Sequence, residues 1–202
     1  MIDIVAELNR VHREVGTEPA SVLVRRELNA EVADVWDACT DPVRIGRWFL
    51  PVTGDLTVGG RYQFEGNAGG EILHCEPPRL LRVTWEFGET KPSAVEVRLE
   101  PAGEGRTLFE LEHSGIQDPA QWDKFGPGAV GVGWDGMVLG LARHLTGSVK
   151  PEGWERSPEA REFVNVSSAA WAAAHEKSGA TSDEAARAAR NTAGFYLGMP
   201  PS

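Results

Sequence analysis

The sequence predicts an α+β fold in which a curved antiparallel sheet is wrapped around one long helix. Three observations lead there. Residues 52 to 113 alternate apolar and polar side chains with period 2 and are punctuated by Gly and Pro turn signals. The stretch GAVGVGWDGMVLGLARHLTG, residues 128 to 147, returns to helical spacing and is long enough to cross a sheet. Ahead of both, VWDACTDPVRIGRWFLP breaks a helix at Asp41-Pro42 and then sets Trp48, Phe49 and Leu50 side by side.

The elements follow in order. Residues 2 to 15 place Ile4, Leu8, Val11 and Val15 on one helical face, so an N-terminal packing helix over 1–16 is expected, ended by Gly16. SVLVRRELN reads as a strand and AEVADVWDACT as a short helix with Val32, Val35 and Trp36 inward. Asp41 before Pro42 disfavours helix at that point, and Pro42 suits the first position of a second short helix. Turn signals at Gly54, Gly59-Gly60, Gly69-Gly70, Pro77-Pro78 and Gly103 to Gly105 then divide about six strands. Leu81, Val83, Trp85 and Phe87, then Val95, Val97 and Leu99, then Phe109, Leu111 and His113 mark one face, as in a sheet with one wet and one covered side.

Val130, Trp134, Met137, Val138, Leu141 and Leu145 form the apolar stripe of the long helix, with Gly147 as its C-cap. Gly133, Gly136 and Gly140 sit on its shoulder. Each lowers helix stability by roughly 1 kcal/mol relative to Ala, so either close approach of a neighbouring backbone or space for a ligand is expected there. Beyond a 148–157 linker, Ser157-Pro158-Glu159 opens a helix carrying Phe163, Ala170, Trp171 and Ala174. Thr181 to Glu184 fits a capping box opening another. Residues 157–197 are thus a helical hairpin that covers the core, a cavity mouth or another subunit.

Composition narrows the function. A net charge of −10, with arginines interspersed among carboxylates, argues against nucleic acid. The absence of a long apolar run or leader-like start leads to the expectation of a soluble, cytoplasmic protein without a membrane span. The five histidines show no metal-ligand spacing, so no metal and no cofactor are expected. Cys39 and Cys75 form no CxxC and read as structural thiols. GAVGVG lacks the lysine of a phosphate loop, and no nucleophile elbow is present.

The order strand, two short helices, about six strands and a closing helix is that of a helix-grip fold. VWDACTDPVRIGRWFLP, GGRYQFEG, GGEILHCEPPRLLRVTW and WDGMVLGLARHL together resemble the SRPBCC (START/Bet v 1-like) superfamily, within it the group of activator of Hsp90 ATPase homologue 1-like proteins, over residues 20–147. The resemblance implies a deep apolar cavity between sheet and long helix. Hsp90 is not expected as a partner, because the separate docking domain of the eukaryotic activators is replaced by the N-terminal helix.

Trp48, Trp85, Trp134 and Met137 are the expected cavity aromatics and sulfur, joined by Tyr62 and Leu141 as ligand-binding candidates. Trp36, Phe49, Tyr62, Phe64, Phe87 and Phe109 read as core more than contact, Tyr62 being kept also as a ligand candidate, with Phe49 and Leu50 as hinge packing. If Leu73 and Cys75 turn inward, period 2 brings Glu71 inward too, and the same parity brings in His113. Each is either a strand-end group satisfied locally or a polar ligand anchor; as an acid and base they would suit a cyclase or dehydratase. The leading expectation is binding of a small hydrophobic, lipid- or polyketide-like ligand without obligatory catalysis. The alternatives are that enzyme, and a protein-interaction or chaperone-cofactor module (Hsp90 ATPase activator-like), which leaves a homodimer possible.

Overall fold

The computed structural model describes residues 3–88, 91–148 and 151–199. Its elements are α1 (Ile4–Asn9), β1 (His12–Thr17), β2 (Ala20–Leu28), α2 (Val32–Thr40), α3 (Pro42–Ile45) and β3 (Val52–Gly54). They continue with β4 (Arg61–Phe64), β5 (Gly69–Glu76), β6 (Leu80–Trp85), β7 (Ser93–Pro101) and β8 (Thr107–Ser114). The remaining helices are α4 (Pro119–Phe125), α5 (Gly128–Leu145), α6 (Pro158–Lys177) and α7 (Ser182–Tyr196). The strands form one eight-stranded sheet in the order β1-β2-β8-β7-β6-β5-β4-β3, and the architecture is the helix-grip fold expected from the order of elements. Among the described residues no helix is long and apolar enough to cross a membrane.

The N-terminus departs from expectation. Only Ile4–Asn9 is helical, capped by Asp3 accepting from the Ala6 amide, and His12–Thr17 is a strand. Val11 and Val15 fit a helical face and a strand alternation equally well. A tertiary contact decides between them: Arg13 must reach a buried carboxylate, described next. The turn around Pro119–Phe125 forms a helix with Asp118 as its cap, an element the periodicity did not indicate. Of the expected 148–157 linker, residues 149 and 150 lie outside the described residues, and Trp154–Arg156 is a 3-10 turn.

The chain divides into two compact units. One comprises Met1–Val24, Asp118–Leu139 and Pro151–Ser202. Its centre is Asp135 of α5, which is fully buried. The carboxylate accepts from Arg13 Nε of β1 at 3.0 Å, Ser167 Oγ of α6 at 2.5 Å and Trp171 Nε1 of α6 at 3.1 Å. Burial pushes its pKa up, against the Arg13 charge and the hydrogen bonds that hold it down. A buried carboxylate in a dry site is tolerated only when paired and hydrogen-bonded in this way.

The hairpin of α6 and α7 belongs to this unit and explains the glycines of α5. A Cβ on Gly131 would collide with the Trp171 indole, and one on Gly136 would lie 3.6 Å from the Phe163 ring. A Cβ on Gly133 would lie 3.4 Å from the Tyr196 hydroxyl, which itself donates to the Ala129 carbonyl at 3.1 Å. These glycines meet neighbouring side chains of the hairpin. Thr181 and Glu184 form the capping box of α7.

The other unit comprises Arg25–Gln117 and Gly140–Lys150. The outer face of its sheet carries a charge ladder: Arg25 to Glu110 at 2.6 Å, Arg98 to Glu110 at 3.1 Å, Arg98 to Glu96, and Arg61 to Glu86 at 2.6 Å. The inner face carries Val83, Val95, Leu99, Phe109 and Leu111, all buried. Between Ile72 and His74 the pairing of β5 with β6 shifts register. This bulge inverts the parity read from sequence: Ile72 is 8% exposed and Leu73 41%. Glu71 therefore stands opposite Arg61 on the outer face, not inward. Phe87, expected in the core, is 56% exposed beyond the end of β6.

Candidate functional site

The elbow that opens the site is built by short-range chemistry. Asp41 ends α2 in extended backbone and its carboxylate accepts from the Arg44 amide at 2.7 Å, capping α3, where Pro42 occupies the first turn. Arg44 ties back to Asp34 and Asp37 of α2, each at 2.8 Å. Within this hinge burial pushes the Cys39 thiol up to about 12, which leaves it protonated and unreactive near neutral pH. The chain then delivers Trp48, whose Nε1–H donates to the Ala38 carbonyl at 3.0 Å. On its other side Trp48 meets α5: a Cβ on Gly140 would lie 3.0 Å from the Trp48 carbonyl oxygen. Gly140 therefore accommodates close approach of a backbone, one of the two expectations for it.

From Trp48 a chain of ring contacts runs along the inner face of the sheet. Centroids lie 5.9 Å apart for Trp48 and Phe49, 5.0 Å for Phe49 and Phe64, and 6.1 Å for Phe64 and Trp85. Tyr62 joins at 5.5 Å from Phe64, and His113 ends the chain 6.2 Å from Trp85. These edge and tilted geometries are the favoured arrangements of aromatic quadrupoles. Phe49 and Phe64, read from sequence as hinge and core, are links of this belt. Trp48, Phe49 and Trp85 are only half-buried as residues.

The polar tips of Trp48 and Tyr62 are both held by backbone carbonyls. The Tyr62 hydroxyl donates to the Thr84 carbonyl at 2.7 Å, reaching from β4 across β5 to β6. It can do so because Gly70 lies directly opposite Tyr62, where any side chain would collide with that carbonyl. Burial pushes the Tyr62 phenol up, so it stays a neutral donor.

His113 is 4% exposed. Its Nε2 lies 2.7 Å from Ser93 Oγ, and the Ser93 hydroxyl donates to the Trp85 carbonyl at 3.1 Å. A hydroxyl has one proton, so with the bond to Trp85 made Ser93 accepts from His113 Nε2–H. Burial pushes the imidazole from 6.5 down to about 4, making it neutral at physiological pH. In this arrangement Ser93 is not poised as a nucleophile, since its proton points away from His113.

The structure thus brings together Trp48, Tyr62, Trp85 and His113 of the eight expected residues. Glu71 is on the other face. Leu141 is fully buried in the last turns of α5, while Trp134 and Met137 are buried on the segment of α5 belonging to the first unit. One participant, Ser93, and one buried charge outside the belt, Arg26, were not anticipated. Ser93 sits opposite Trp85 at the start of β7, a pairing that only the register reveals. Arg26 is buried on β2 at the same parity as Leu28; in Arg25-Arg26 the letters alone do not say which arginine turns inward.

Residues 29–146 match the family described as activator of Hsp90 ATPase homolog 1-like protein, more than half of the chain. The chain belongs to this family. CalU16 from Micromonospora echinospora is 36% identical in its crystal structure, with a TM-score of 0.65 over 82% of this chain and 96% of that one. Its solution structure gives 35% identity and a TM-score of 0.67. DynU16, described as a protein in the dynemicin biosynthetic locus, is 29% identical with a TM-score of 0.54, over 62% of this chain and 47% of its own. A protein from Arthrobacter aurescens shares the fold at 22% identity and a TM-score of 0.58, over 71% of this chain and 96% of that one. No curated protein matches the chain in sequence. In this activator of Hsp90 ATPase homolog 1-like chain, the matched residues 29–146 contain the elbow, the belt and Ser93–His113.

Proposed function

We propose that this protein binds a small hydrophobic molecule, lipid- or polyketide-like, against the aromatic belt, with no obligatory catalytic step. The observation that carries the reading is the belt itself: linked rings on an inner sheet face, several of them on half-buried residues, whose Trp48 and Tyr62 polar tips are satisfied by backbone carbonyls. Such a surface gains by removing apolar area from water, at about 25 cal/mol per Å² before the costs of association. Ser93 and His113 give the ligand one neutral polar point of orientation, as small-molecule sites commonly do. The setting of DynU16 in the dynemicin biosynthetic locus supports a natural-product ligand.

A binding role fits the site better than acid–base catalysis. An imidazole at about 4 that already donates to Ser93 is a poor base and is not an acid at neutral pH. Native mass spectrometry of protein purified from its own cell tests the reading. A noncovalent adduct, present in the native protein and lost in Trp85→Ala, is the expected outcome; a mass unchanged between the two, with every offered hydrophobic probe also failing to bind, contradicts it.

A further inference from the structure

In the unit that contains the hairpin, a cleft of about 320 Å³ opens beside the α6–α7 turn. Trp122 and Asp123 of α4 form one wall, His175 at the end of α6 a second, and Glu184, Arg187 and Ala188 of α7 a third. The Trp122 and His175 rings meet edge to face at 6.4 Å and 79°. With Ala188, which is buried, they supply the apolar part of the cleft's lining.

The charges at the rim fall into two groups. Glu184 is committed: its Oε2 accepts from the Thr181 amide at 2.9 Å and the Thr181 hydroxyl at 2.7 Å. Asp123 and Arg187 are both exposed, and neither makes an ion pair at contact distance or a side-chain hydrogen bond among the described residues, although the Arg187 charge acts on the neighbouring Glu184. With Glu184 held by its cap, Asp123 and Arg187 are the anion and the cation left for a ligand, and beside the apolar part of the lining they are complementary to a ligand that carries both charges and an apolar group. The volume lies at the low end of the roughly 300 to 1,000 Å³ usual for small-molecule sites, so a single amino-acid-sized molecule fits and a lipid does not.

We propose that this cleft binds a zwitterion of the amino-acid type with an apolar side chain, its carboxylate on Arg187, its ammonium on Asp123 and its side chain against Trp122. Arginine forks match carboxylates in geometry and charge, and the indole supplies an apolar wall for the side chain. The site is independent of the aromatic belt and requires nothing of the ligand proposed there.

NMR titration with L-phenylalanine, read at the His175 imidazole and the Trp122 indole, tests it, with L-phenylalaninamide and N-acetyl-L-phenylalanine as probes lacking one charge each. The expected result is saturable binding of L-phenylalanine, with each blocked analogue about tenfold weaker, the scale of one charge-assisted contact. Arg187→Gln should bring L-phenylalanine down to the affinity of the amide, and Asp123→Asn down to that of the N-acetyl compound. Both positions are exposed, so the variants should fold. Absence of saturable shifts at Trp122 and His175, equal affinity for all three probes, or binding unchanged in both variants would overturn the proposal.

Discussion

Asp135 of α5 and His113 of β8 are both buried polar groups, and they are handled in opposite ways. Asp135 keeps its charge environment closed: a guanidinium, a hydroxyl and an indole N–H from β1 and α6 converge on one carboxylate. His113 is made neutral instead, with a serine hydroxyl as acceptor and an aromatic ring beside it. The first arrangement joins three segments far apart in sequence and leaves the carboxylate nothing further to do. The second places a neutral polar group at the end of a belt of rings, several on half-buried residues. A saturated network is the mark of a fastening, and a neutral anchor beside half-buried aromatic residues is the mark of a binding surface.

That contrast can be broken most readily at Asp135. Asp135→Ala leaves the buried Arg13 charge without its carboxylate, with only the Leu8 and Val11 carbonyls to accept from it, and a loss of about 3–5 kcal/mol in urea unfolding is expected. Ligand binding at 25 °C by the fraction still folded should be unaltered. A loss below about 1 kcal/mol would mean the network does not fasten the unit.

Smaller effects separate the glycines of α5. Gly131→Ala should cost about 1–3 kcal/mol because the rigid Trp171 ring cannot yield. Gly136→Ala, with only ordinary contact to Phe163, should stabilise by up to about 1 kcal/mol through helix propensity. Thermal unfolding checks both, and equal effects at the two positions would show that the hairpin does not press on α5 as described.

The pH dependence sharpens the other side of the comparison. His113 binds its proton less readily folded, at about 4, than at its ordinary 6.5. The unfolded chain therefore takes up the proton first as pH falls, so this contribution is full above 6.5 and is lost progressively toward 4. His113→Gln should flatten the fall in stability over that window. An equally steep fall in the variant would assign the slope to other groups.

Much of the fold was legible because local rules agree with tertiary ones. The Asp41-Pro42 elbow, the alternation of β6 to β8, the stripe of α5 and the Thr181–Glu184 cap each carry their own signal. The N-terminal strand was not legible, because Val11 and Val15 satisfy two periods and the deciding contact, Arg13 with Asp135, spans 122 positions in sequence. Glu71 was misplaced because a bulge leaves no mark in composition and shifts parity for every residue read across it. The belt was half legible: Trp48 and Trp85 stand out as letters, whereas Ser93 becomes part of the site only through its register with Trp85. The glycines of α5 announced close approach, but Trp171 and Phe163, which make it, come from a helix read separately.

The account rests on the belt being a ligand surface and not simply core. Fluorescence titration with the uncharged planar probe 1-N-phenylnaphthylamine, run beside urea unfolding on wild type, Trp48→Ala and Trp85→Ala, tests this directly. Saturable binding that weakens about tenfold or more in Trp85→Ala, corresponding to about 1.4 kcal/mol, in excess of any change in the fraction folded, is the predicted result. Binding that is absent in the wild type, or unaltered in both variants while their stability falls, would contradict it.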